Sequence, residues 1–193
     1  MKKFFLTTMI LLASSSYAGN QQYEELKNET RNMMSQMVAD QPPKYSSFPS
    51  KEAEKIWVKK YESSIKRFSP DSEERELLLK TIHYEAIRAG LEPELILGLI
   101  RVESGFNKYA VSSVKARGFM QVMPFWVDLI GDKTHNLFHM RTNLRYGCTI
   151  LRHYLDIERG NMFRALGRYN GSLGRAEYPN AVMAASKTFK NKE

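Results

Sequence analysis

From Ser50 onward, apolar side chains return at helical spacing, with lysines and glutamates between them. Ile56, Tyr61, Ile65 and Phe68 mark a first segment. Asp71 followed by Glu74 is a capping signal for a second. Leu78, Leu79, Ile82, Ala86 and Ile87 continue its apolar face until Gly90 stops it. Pro93 opens a third segment, whose Leu95, Ile96, Leu99, Ile100 and Val102 leave almost no polar face. This predicts a central, buried helix that ends at Glu103-Ser104-Gly105. Residues 104–118 lose the helical period, and Gly105, Ser112-Ser113 and Gly118 suggest a loop or short hairpin. Helices resume over Pro124 to Ile130, Asn143 to Ile157, Met162 to Arg168 and Glu177 to Lys190. No run of alternating strands and no internal repeat interrupts them. The class is mainly α, with one compact helical domain over residues 50–193.

The pattern before Ser50 differs. Lys2 and Lys3 precede an apolar stretch from Phe4 to Ala13, and Ser16-Tyr17-Ala18 offers small residues where a signal peptidase cuts. Residues 1–18 therefore read as a signal peptide cleaved after Ala18. Its apolar core is too short to span a bilayer comfortably, and no cysteine near the cut could take a lipid anchor. The expected location is periplasmic and soluble. Residues 19–49 read as a polar, loosely ordered segment containing a weak helix, with Tyr23, Leu26, Met33, Met37 and Val38 on one face. Pro42, Pro43 and Pro49 end it, and a chain starting near Ser50 is expected to fold without it.

Composition narrows the chemistry. The formal charge of the 193 residues is +8, which favours anionic surfaces, but no basic stripe with interleaved aromatics points to nucleic acid. Cys148 is the single cysteine, so an internal disulfide framework and a cysteine-rich metal site are excluded. His83, His135, His139 and His153 are scattered without ligand spacing and read as packing or surface residues. No metal or cofactor is expected.

Glu103 carries the candidate chemistry. A carboxyl closing an apolar helix is partly desolvated, which favours its protonated form and suits a general acid; an ordinary exposed helix-end glutamate is the plain alternative. The neighbouring motifs decide between them. Glu103-Ser104-Gly105-Phe106-Asn107 is followed by Ala110-Val111-Ser112 and by Gly118-Phe119-Met120-Gln121-Val122-Met123-Pro124. Ala165-Leu166-Gly167-Arg168-Tyr169-Asn170 and Tyr178-Pro179-Asn180-Ala181 come later. In this order, over roughly residues 75–190, they resemble the soluble lytic transglycosylase (SLT) domain family, a lysozyme-like fold that cleaves bacterial peptidoglycan. Phe119 stands where that family has Leu, and Arg168 where it usually has Ala before Tyr-Asn.

The resemblance implies roles. Glu103 is the sole catalytic acid/base. Ser112 orients the substrate. Met120, Gln121 and Met123 form the floor of the sugar cleft, Tyr169 and Asn170 stand beside the glutamate, and the hydroxyl of Tyr178 approaches it. Each has a plainer reading: Gln121 as a turn cap, Met120 and Met123 as core, Tyr169 as a packed aromatic. Residues 104–118 contain no Asp or Glu, and the next carboxylate is Asp128. A two-carboxylate mechanism therefore lacks its expected second member. A lytic transglycosylase forming 1,6-anhydro-MurNAc ends from glycan strands needs only one. A goose-type muramidase and a non-catalytic wall-binding protein are the competing readings. The small size suits a cutter recruited by a wall-spanning secretion, pilus or flagellar machine; a monomer is expected, with nothing in the sequence fixing the oligomeric state.

Overall fold

The computed structural model describes residues 21–39 and 46–191. The predicted signal peptide, residues 1–18, lies outside them. The elements in chain order are α1 (Asn28–Val38), α2 (Lys51–Ile65), α3 (Ser72–Arg88), α4 (Pro93–Glu103), α5 (Phe125–Ile130), α6 (Met140–Ile157), α7 (Met162–Asn170) and α8 (Glu177–Lys190). Among the described residues, strand pairing is confined to two isolated antiparallel bridges, Val111 with Arg117 and Arg117 with Val122. The fold is mainly α, with a loop after Glu103, as the period-3.6 pattern and its interruption predict. No described helix is long and apolar enough to cross a membrane.

Local chemistry sets the helix ends. Ser50 Oγ accepts from Ala53 N at 3.1 Å, Asp71 Oδ1 from Glu74 N at 2.7 Å and Asn161 Oδ1 from Arg164 N at 3.1 Å, each satisfying an amide of a first turn. After α3, Leu91 N donates back to Ala86 O at 2.9 Å and Gly90 N to Ile87 O at 3.0 Å, which closes the helix C-terminus. α6 starts three residues earlier than predicted, at Met140.

α4 is the central helix. Leu95, Ile96, Leu97, Leu99 and Ile100 are buried, together with Glu103 at its end. α8 runs antiparallel to it, with Lys190 paired to Glu92 at one end and Tyr178 bonded to Glu103 at the other. The two backbones almost touch at Gly98, where a Cβ would stand 2.5 Å from Ser186 N. A side chain at that position would push α8 off α4 and take Tyr178 with it.

The chain ahead of α2 differs most from its sequence expectation. α1 packs on α5 and α6. Its buried residues are Met34 and Val38, with Leu26 just before it, whereas Met33 and Tyr23 face solvent. Two adjacent methionines offer faces about 100° apart, and the local pattern does not choose between them. The choice comes from a buried charge network. Glu85 on α3 is fully buried, 2.9 Å from Arg88 Nε and 3.3 Å from Arg145 Nε. The same two arginines donate to Met37 O at 2.6 Å and Ala39 O at 2.8 Å. They thus satisfy carbonyls at the C-terminal end of α1. On the far side of residues 40–45, Phe48 stacks on His83 with ring centroids 3.8 Å apart, and Ser47 Oγ lies 2.8 Å from His83 Nδ1. Ile56 and Ile87, expected on inward faces, are more than 45% exposed.

Candidate active site

Glu103 is the last residue of α4, and its side chain faces the start of α8. It is 7% exposed. The Tyr178 hydroxyl donates to Glu103 Oε1 at 2.5 Å. Burial, then the Glu103 charge and this hydrogen bond, push the Tyr178 phenol well above its ordinary value, so it keeps its proton and stays a donor. Burial and then the Glu103 charge hold the Tyr169 phenol up in the same way. Tyr169 is fully buried and donates to Met120 O at 2.7 Å.

The segment 117–123 beneath these groups is irregular, so its backbone polar groups need partners from elsewhere. Asn143, fully buried on α6, supplies two: its Oδ1 accepts from Met120 N and its Nδ2 donates to Arg117 O, both at 2.8 Å, while Nδ2 also donates to Leu137 O at 2.8 Å. Ser104 Oγ, one residue after the glutamate, donates to Phe119 O at 2.7 Å. Gln121 Nε2 donates to Gly118 O at 2.9 Å and Ala110 O at 3.2 Å. Gly118 has φ +73°, and a Cβ there would lie 2.5 Å from Asn143 Nδ2, so the turn requires glycine. The end of α4, the loop and α6 are thereby locked together.

The residues implied by the resemblance fall into two groups. Tyr178 and Tyr169 gather around Glu103 and the segment beneath it. Asn170 ends α7 and is 9% exposed. Met120 is fully buried and Gln121 nearly so, with its amide spent on the loop's own carbonyls. Both side chains are therefore taken up inside the fold, Met120 in the core and Gln121 on its own loop. Met123 is partly buried and packs against the core. Ser112 closes its own turn: its hydroxyl accepts from Ala116 N at 3.0 Å and its amide donates to Ala116 O at 3.0 Å. The arginine that departs from the family pattern, Arg168, is bound to Glu158 and to Glu24, 3.3 Å away. Asn143 and Gln21 are the residues that sequence reasoning missed. An asparagine in the first turn of an amphipathic helix gives no signal beyond mild capping propensity.

No Asp or Glu stands between Glu103 and Asp128, which lies exposed on α5. Among the described residues, no group of three or more His, Cys, Asp and Glu could hold a metal ion.

Residues 80–191 match the family described as the transglycosylase SLT domain. The membrane-bound lytic murein transglycosylase C of Actinobacillus pleuropneumoniae serotype 5b (strain L20) is 54% identical over 46 residues, which are 24% of this chain and 13% of that protein. The transglycosylase of Enterobacteria phage PRD1 is 32% identical over 111 residues, 54% of this chain and 41% of the phage protein. This chain thus spans less than half the length of either relative. The X-ray structure of an inactive mutant of the lytic transglycosylase Slt from Pseudomonas aeruginosa superposes with a TM-score of 0.51 and 19% identity, over 75% of this chain and 31% of that one. A likeness at that identity speaks for the fold. With the family matched over more than half its length, the chain belongs to the transglycosylase SLT domain family.

Proposed function

We propose that the chain is an exported peptidoglycan lytic transglycosylase that cleaves the MurNAc-β-1,4-GlcNAc bond with Glu103 as single acid and base. The observation that carries this reading is a carboxyl buried at the end of an apolar helix, with the Tyr178 hydroxyl 2.5 Å from Oε1. With Oε1 held by that donor, the proton of the neutral carboxyl sits on Oε2 and passes to the glycosidic oxygen. The bond from that oxygen to C1 breaks, and the GlcNAc unit leaves with a free 4-hydroxyl. The 2-acetamido oxygen of MurNAc stabilises the anomeric carbon. The carboxylate then takes the proton from the C6 hydroxyl as its oxygen bonds to C1, which gives the 1,6-anhydro ring. One group is acid and then base, and no water is consumed. The absence of a carboxylate from residues 104–118 favours this route over a two-carboxylate one. Ser112, Met120, Gln121, Met123, Tyr169 and Asn170 belong to the proposed cleft and its support. Export rests on the leader over residues 1–18, and the positive charge suits the carboxylates of peptidoglycan stem peptides.

The test is the mass of the soluble muropeptides released from purified peptidoglycan. Transglycosylation gives ends lighter by one water than those of hydrolysis. Products carrying that water indicate a muramidase, and no release indicates a wall-binding protein.

Tyr178 supplies a second check. Its hydroxyl stabilises the ionised carboxyl, so Tyr178→Phe disfavours ionisation, and Glu103 stays an acid to higher pH. The alkaline limb of the rate profile should move up by about one pH unit, the scale of one hydrogen bond to a charged group. An unmoved limb rejects a catalytic part for this hydrogen bond.

A further inference from the structure

The chain ahead of α1 meets the loop beneath the candidate site through one buried side chain. Gln21 is 2% exposed. Its Nε2 donates to Gln121 O at 3.1 Å, and its Oε1 accepts from Met123 N at 3.0 Å. A primary amide carries one donor and one acceptor in a single fork, and both are used here on one stretch of backbone. Three neighbours hold the same segment. The Tyr23 ring stands edge-on to Phe125 with centroids 5.7 Å apart, Glu24 lies 3.3 Å from Arg168, and Leu26 is buried in the core.

We propose that residues 21–26 are a strap that fixes the conformation of Gln121–Met123, and that Gln21 is a positioning residue for the reaction assigned to Glu103; the second half rests on that assignment. Gln121 has φ +48°, a left-handed conformation that residues with a side chain avoid unless their surroundings impose it. Its side chain is committed to Gly118 O and Ala110 O, while Asn143, Ser104 and Tyr169 serve the backbone of residues 117–120. Gln121 O and Met123 N are served by none of these, and among the described residues Gln21 partners both. The strap therefore adds two hydrogen bonds to a strained loop that touches Tyr169 on one side and the helix end of Glu103, through Ser104, on the other. Arg168 gains a reason to be there. It stands immediately before Tyr169 and joins α7 to the strap through Glu24, while Glu158 holds the same guanidinium. Its departure from the family pattern and the strap are two halves of one contact.

The experiment uses the full chain carrying Gln21→Glu, and separately Glu24→Ala. The first keeps the shape and the acceptor but turns a carboxylate oxygen towards the Gln121 carbonyl. The second removes a partly exposed ion pair and leaves the fold intact. Solubilisation of purified peptidoglycan is followed against its concentration, and amide hydrogen exchange is read residue by residue. For Gln21→Glu the expected result is a fall in maximal rate of about tenfold, the scale of one unmet buried hydrogen bond, with the half-saturating concentration unchanged. Exchange at Met123 and its neighbours in 118–123 should quicken, while amides of α4 and α8 keep their native rates. Glu24→Ala should move both readouts in the same direction by about twofold. Unchanged exchange in both variants overturns the strap. Faster exchange with native turnover overturns the positioning role, as does a loss that appears in the half-saturating concentration alone. If Gln21→Glu loosens every helix, Glu24→Ala alone decides. An unaltered chain that releases nothing from peptidoglycan rejects the proposed function instead, and the exchange rates still decide whether the strap holds the loop.

Discussion

Glu103→Gln should lower the release of muropeptides by at least about a hundredfold, the usual contribution of a positioned acid or base. The substitution keeps the shape of the side chain and removes the transferable proton. An amide can still accept from the Tyr178 hydroxyl, so the geometry around Oε1 has no reason to change. The variant should also remain folded, because Glu103 ends α4 and the apolar contacts of that helix are made by Leu95 to Ile100. The pair of measurements is turnover on purified peptidoglycan and the thermal midpoint. A folded variant with native turnover would remove Glu103 from the mechanism, and with it the single-carboxyl reading. In the native chain the rate should fall as pH rises, because the first step consumes the protonated form. Tyr178 adds no titration of its own near neutrality, since burial and the adjacent glutamate hold its proton.

Asn143→Ala should cost about 4 kcal/mol and lower the thermal midpoint by about 10 °C. Three hydrogen bonds of 2.8 Å disappear together, leaving Met120 N, Arg117 O and Leu137 O without this partner. Asn143 is fully buried, so water does not replace it without further opening. The loop it holds also carries the Phe119 carbonyl that receives Ser104 and the Met120 carbonyl that receives Tyr169. Turnover should therefore fall even at temperatures where the variant is folded. A cost below about 1 kcal/mol by chemical denaturation would mean that the loop stands without Asn143, and that the lock described above is misassigned.

The helices from α2 onward, both ends of α3 and the position of Glu103 were legible in the chain because their causes lie within a few residues. Asp71 caps α3 through Glu74 N, Gly90 closes it through Ile87 O, and the nearly all-apolar stretch from Leu95 to Val102 makes α4 central wherever the remaining helices go. The loss of period after Glu103 likewise marked a loop without any knowledge of its shape. The resemblance carried by ordered motifs brought Tyr178 into consideration, but no spacing in the chain sets a contact between residues 75 positions apart.

What the tertiary structure decided has a common physical form: buried polar groups satisfied by distant partners. Arg88 and Arg145, drawn to the fully buried Glu85, receive the carbonyls of Met37 and Ala39, and so choose Met34 over Met33 as the buried face of α1. Gln21 reads as one more polar residue in a polar segment until Gln121 O and Met123 N are seen to need it. Met120 reads as floor or core with equal ease, and only the packing puts it out of reach of solvent. Periodicity and capping are local and show in the sequence by themselves. Satisfying the backbone of an irregular loop is a demand on the whole fold, met by whichever side chains the helices bring to it.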